Sequence, residues 1–135
     1  MKTKNYISFF IILIASSLRI GVYIQNRSLI IDEANLARNI VEKDNLDFFE
    51  PLDYDQYAPP LYSVVVKTLT RIFGVNEYAM TLISLIAGIG TLLLLWFLLR
   101  LLQLNKLSIW YILLLYGFSE LAIRYSTEFK QYALD

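Results

Sequence analysis

The stretch YAMTLISLIAGIGTLLLLWFLLRLL, residues 78–102, decides the fold. Its single charged side chain, Arg100, lies near its end, and its length at 1.5 Å per residue exceeds the roughly 30 Å of a bilayer's hydrocarbon. Two further apolar runs flank it, from about Tyr6 to Ile24 and from about Leu107 to Ile123. The expected fold is therefore an all-α membrane protein: three transmembrane helices, with a long outer loop over about 25–77 that bears short interfacial helices. Residues 1–135 would be one part of a multi-pass domain. The first run could also be read as a signal peptide, since Lys2 and Lys4 precede it. The residues that follow, Gln25, Asn26 and Arg27, offer no small-x-small cleavage site, which favours an anchor.

Composition agrees. The chain is 57% apolar with a mean hydropathy of +0.51, which suits lipid better than water. Twelve basic and twelve acidic residues cancel, but they are segregated, and nothing points to nucleic acid. With no cysteine and no histidine, disulfides, thiolate catalysis, Cys-ligated zinc and imidazole bases are excluded. Proton transfer falls to carboxylates, lysine or tyrosine.

Lys2, Lys4, Arg100 and Lys106 mark one face, which the positive-inside rule makes cytoplasmic. The loop opposite is acidic, with Asp32, Glu33, Glu42, Asp44, Asp47, Glu50, Asp53 and Asp55. Together with the C-terminal end it would be extracytoplasmic. Leu36, Ala37, Ile40 and Val41 recur at helical spacing and predict a short amphipathic helix, with Asp32 at the N-cap and Asp44-Asn45 as the stop. A second helix should start at Pro59-Pro60 and end at Gly74. Its polar stripe, Ser63, Lys67, Thr70 and Arg71, would face headgroups in the interface plane. Asn76 should cap the second span.

Two features of the spans allow alternatives. Ser84, Ala87, Gly88 and Thr91 admit a close helix neighbour, or Gly88 and Gly90 reflect the general glycine content of membrane helices. Arg19 and Glu120 each lie 13 residues into an outward span, roughly 20 Å up. At that depth they are expected to form a structural ion pair or line a polar cavity. The alternative is that Arg19 reaches headgroups and Glu120 pairs with Arg124.

Four outer-face elements follow in order: Ser28 to Ala34 around Asp32-Glu33, Tyr54 to Tyr62 around Pro59-Pro60, Phe73 to Glu77, and Tyr125 to Leu134. In this order, and between these spans, they resemble the start of the lipid-dependent membrane glycosyltransferases of the GT-C fold. The nearest groups are the bacterial "glycosyltransferase RgtA/B/C/D-like" and the dolichyl-phosphate-mannose protein mannosyltransferase families. The resemblance covers nearly the whole chain and implies an N-terminal piece of a longer frame. It departs where such proteins often carry His near Tyr57-Ala58 and Arg at Lys130.

The resemblance implies transfer of a sugar from a polyprenyl-phosphate donor to a glycan, lipid or protein acceptor on the outer face of the cell membrane. Phosphate is a good leaving group, so one carboxylate taking the acceptor proton is enough. By resemblance Asp32 is the catalytic base, with Glu33 second, binding substrate or orienting Asp32. Asp55, Tyr62, Tyr125, Glu128 and Lys130 are the expected substrate-binding residues, and Lys67, Arg71 and Arg124 are further cations for a lipid phosphate. No cofactor is called for. No carboxylate spacing calls for a metal, and a divalent ion is not excluded. The competing readings are a non-catalytic membrane module that docks helices, and a transporter piece, suggested by Arg19 and Glu120.

Overall fold

The computed structural model describes residues 6–133, and the regular structure among them is helical. In chain order the helices are α1 (Tyr6–Ile24), α2 (Ile31–Glu42), α3 (Pro60–Phe73), α4 (Glu77–Leu101), α5 (Lys106–Gly117) and α6 (Glu120–Tyr125), with 3-10 turns at Asp47–Phe49 and Gln131–Ala133. Lys2 and Lys4, which the orientation argument uses, lie outside the described residues, as does Leu134 of the last sequence element. α1 and α4 are each long and apolar enough to cross a membrane. Their outward faces carry Phe9, Phe10 and Leu13 on α1 and Leu94 and Phe97 on α4, all exposed, a surface suited to lipid.

The run 107–123 is not one continuous helix. α5 has 12 residues, about 18 Å of rise, and stops at Gly117. Ser119 then restarts the chain as the N-cap of α6, its hydroxyl accepting from the Ala122 N–H at 3.4 Å. A serine that bonds the local backbone competes with the helix ladder, and apolar periodicity does not register that competition.

α4 is the central element and packs on α1, α3 and α5. At the end where α1 begins, Ile11 and Ile12 meet Leu99 of α4 and Ile109 and Leu113 of α5. At the other end Leu36 and Ile40 of α2, Tyr62 and Val66 of α3, Met80 of α4 and Phe129 form a second core, with Phe48 closing it. Asn76 caps α4 through a 2.9 Å bond from the Ala79 N–H, and Gly74 ends α3 at φ +86°, both as the sequence predicts. Asp32 does not cap α2. Ile30 occupies the cap position, and its N–H donates to Glu33 Oε2 at 2.9 Å, the return half of a capping box.

The small residues of α4 receive a neighbour from the same chain. A Cβ at Gly88 would lie 2.2 Å from Ser126 Cβ, and Ser84 Oγ donates to the Lys130 carbonyl at 3.2 Å. Gly90 has nothing within 4 Å. Gly88→Ala is therefore expected to destabilise by about 2 kcal/mol through overpacking. Gly90→Ala should leave stability unchanged or raise it by up to about 1 kcal/mol. Thermal unfolding in detergent checks both.

α3 turns most of its expected polar stripe inward, with Arg71 alone of the four left exposed. Ser63, Lys67 and Thr70 are buried, while Leu61, Ile72 and Phe73 are exposed. Lys67 does not reach for headgroups. Its ammonium donates to the Ile40 carbonyl at 3.1 Å and to the Lys43 carbonyl, placing a cation on the unpaired carbonyls where α2 ends.

Candidate functional site

Glu33 sits at the third position of α2 and is fully buried. Arg27, in the linker after α1, grips it through both terminal nitrogens, at 2.9 Å to Oε2 and 2.7 Å to Oε1. The Ile30 N–H adds a bond to Oε2, and the Phe129 N–H donates to Oε1 at 2.7 Å. Burial pushes this carboxyl up, but the Arg27 guanidinium and the two backbone N–H groups outweigh it, and the net shift is below the ordinary glutamate range. A carboxylate carrying four N–H donors is an acceptor already in use. Glu33 is thus a pin between α2 and the segment after α6, not a free base. Arg27, absent from the sequence-derived site, has only its place just after α1 and an acid six residues on to signal it.

Asp32 is next to this pin and is exposed. Among the described residues its carboxylate makes no hydrogen bond or ion pair. Asp55 is exposed too, in a turn where Tyr54 and Asp55 take successive left-handed conformations at φ 62° and 52°. Each such residue costs about 1–2 kcal/mol. Tyr54 is held under the Arg38 guanidinium, whose carbon lies 4.5 Å from the ring centroid. Gln56 fixes the other side, its Oε1 accepting from Lys130 Nζ at 2.8 Å. Asp32 and Asp55 are therefore each one residue away from a side chain tied to the adjacent pair Phe129 and Lys130. The two carboxylates come to the same end of the helices through one short segment.

The other expected site residues divide. Tyr62 is 5% exposed and stacks on Phe129 at 6.2 Å between centroids. It belongs to the core, and burial pushes its phenol above the ordinary range. Tyr125 is half-buried against Tyr132, with centroids 5.2 Å apart. Glu128 is buried and pairs with Arg124. Both line a groove of 590 Å³ between the C-terminal part of α1 and α6, whose apolar wall is Val22, Ile30, Phe118 and Ile123. Arg27 and Glu120 stand at the same groove. Among the described residues no three acidic side chains gather as a cation site.

No family model, curated protein or solved structure matches the chain.

Arg19 and Glu120 do not form the expected ion pair. Arg19 is fully buried, so it does not reach headgroups either. Its Nη1 donates to the Ala15 carbonyl at 3.0 Å and to the Gly117 carbonyl at 2.9 Å, and its guanidinium carbon lies 5.7 Å from the Tyr116 ring centroid. Gly117 is the last residue of α5, so the cation meets the negative end of that helix. Glu120 is exposed. Equal depth along two helices says nothing about which way each side chain turns, and that is why the pairing fails. Glu120→Gln should leave thermal stability in detergent within about 0.5 kcal/mol of the parent. Arg19→Leu should lower it by about 1–3 kcal/mol by leaving the Gly117 carbonyl at the end of α5 without its donor.

Proposed function

We propose that this chain is the N-terminal part of an integral membrane glycosyltransferase that moves a sugar from a polyprenyl-phosphate donor to an acceptor on the outer face, with Asp32 as general base. One observation carries the reading: of the adjacent pair Asp32 and Glu33, Glu33 is consumed by four N–H donors, and Asp32 is exposed and has no partner among the described residues. A base must have a free lone pair and a fixed position. Asp32 has the first, and the pinned Glu33 supplies the second.

Proton removal proceeds as the acceptor oxygen attacks the anomeric carbon, and the phosphate leaves without needing an acid. Asp55, held by its strained turn, is placed to contact sugar or acceptor hydroxyls. Arg124, exposed although paired with Glu128, and Lys130 are the cations of the terminal segment for the donor phosphate, and Lys67 is not, because it is buried on the end of α2. In this reading α1 and α4 span the cell membrane, the broken pair α5 and α6 completes a third crossing, and the loop 25–77 is extracytoplasmic.

The test is transfer from labelled polyprenyl-phosphate sugars by the full-length protein in proteoliposomes. Product that requires Asp32 supports the reading; no transfer with any of several donors overturns it. The second reading, a non-catalytic helix-docking module, is favoured by the burial of Glu33, Tyr62 and Glu128 in packing contacts, and it predicts no product with any donor.

A further inference from the structure

We propose that α3 is a half-inserted helix whose outward face packs on the acyl chains of the outer leaflet, with one chain seated in an apolar cleft where α3 turns into α4. The inference rests on the membrane reading of α1 and α4.

Polarity on α3 is arranged for hydrocarbon. In water a surface helix buries its apolar side. Here Tyr62 and Val66 are buried, but Ser63, Lys67 and Thr70 are hidden with them, while Leu61 is 76% exposed, Ile72 66% and Phe73 60%. The Lys67 charge is spent on the α2 carbonyls inside the protein, so it makes no demand for headgroups. The Thr68 hydroxyl, which does face outward, turns back to the Val64 carbonyl at 2.8 Å. The membrane-spanning helices treat their hydroxyls in the same way, Ser17 onto Leu13 and Thr91 onto Ala87, each at 2.9 Å. A donor satisfied by its own helix does not need water. Arg71 remains exposed near the end of the helix, where a long side chain reaches the interface.

The face is also continuous with the spans. Gly74 turns α3 directly into α4, and at the turn an open cleft of 300 Å³ is walled by Tyr23, Phe73, Tyr78, Ala79 and Leu82, with Asn76 at its edge. Tyr23 and Tyr78 meet edge-on at 5.3 Å, and each hydroxyl donates to a backbone carbonyl: Tyr23 to Tyr78 at 2.9 Å, Tyr78 to Ile24 at 3.0 Å. Two tyrosines with apolar rings outward and their hydroxyls bound at helix ends are the arrangement of an interfacial aromatic belt. The cleft they wall has carbon surfaces and no free charge, which suits a hydrocarbon chain.

Because the chain has no cysteine, single-cysteine spin labels report this directly in phosphatidylcholine vesicles. Labels go at Phe73→Cys and Ile72→Cys on α3, at Leu94→Cys on the exposed face of α4, and at Leu46→Cys, which is 80% exposed in the loop. Collision with oxygen, which concentrates in hydrocarbon, and with a water-soluble nickel chelate is then measured. The inference predicts that the labels at positions 72 and 73 match Leu94→Cys, with oxygen accessibility several-fold above and nickel accessibility several-fold below those at Leu46→Cys. Labels on α3 that behave like the one at position 46, with position 94 still in lipid, overturn the inference and leave the membrane reading standing. Labels shielded from both reagents would mean that protein covers the face, and also overturn it. A water-exposed label at position 94 removes the membrane reading and the inference together.

Discussion

Asp32→Asn is expected to reduce sugar transfer by about 10²–10⁴-fold, the usual contribution of a general base. Thermal stability should stay within about 1 kcal/mol of the parent, the most that a first-turn carboxylate contributes through the helix dipole. The separation follows from the exposed position of Asp32, which has no partner among the described residues. No hydrogen bond is lost when the side chain becomes an amide, while the amide cannot accept the acceptor's proton. Initial rates in proteoliposomes, paired with unfolding midpoints in detergent, decide it. Undiminished transfer by Asp32→Asn would remove Asp32 as the base.

Glu33→Gln should do the reverse, with stability falling by about 3 kcal/mol. Breaking a buried ion pair costs about 3–5 kcal/mol, and the lower end applies because Arg27, at 40% side-chain exposure, recovers hydration. Glutamine does not substitute conservatively here. The carboxylate accepts four N–H bonds, whereas an amide offers one oxygen and turns two donors of its own toward the Arg27 or Phe129 donors. The pH dependence follows from the lowered carboxyl pKa. Stabilisation by Glu33 is complete above the ordinary glutamate value of about 4.3. It is lost as pH falls below that value and through the lower folded-state one. Chemical denaturation between pH 7 and pH 3 should show a steep acid limb in the parent and a shallower one in Glu33→Gln. Parallel limbs would mean that the pin does not hold the fold. Any loss of transfer in this variant should track the fraction unfolded, which distinguishes a positioning residue from the base.

Local chemistry was legible along the chain wherever the nearest neighbours decide the outcome. The long apolar helices α1 and α4, the proline start and glycine end of α3 and the Asn76 cap all follow from side-chain type and spacing, whereas the close approach at Gly88 is one of two readings that the spacing allows. The run 107–123 reads as one helix in sequence and is two in the structure, because the break after Gly117 depends on one serine hydroxyl that an apolar pattern does not weigh. Most of the polar stripe of α3 turns inward for a related reason. A polar stripe reads as solvent-facing unless something inside the protein uses it, and the user of Lys67 is the end of α2, 24 and 27 residues earlier in the chain.

The Asp32 and Glu33 pair shows the same boundary inside the candidate site. Taken alone, the sequence determined that three apolar runs are present, two of which form helices long and apolar enough to cross a membrane, that short helices stand in an acidic loop between the first two, and that any proton transfer must use the few residue types present. Those properties are written in composition and in periods of a few residues. Only the tertiary structure decided which of two adjacent carboxylates is free, which carbonyls a cation buried among helices meets, and which residues of α3 look outward. Glu33 is settled by a backbone N–H 96 positions away and Arg19 by a carbonyl 98 positions away, and no local pattern carries the direction in which a side chain must turn to meet them.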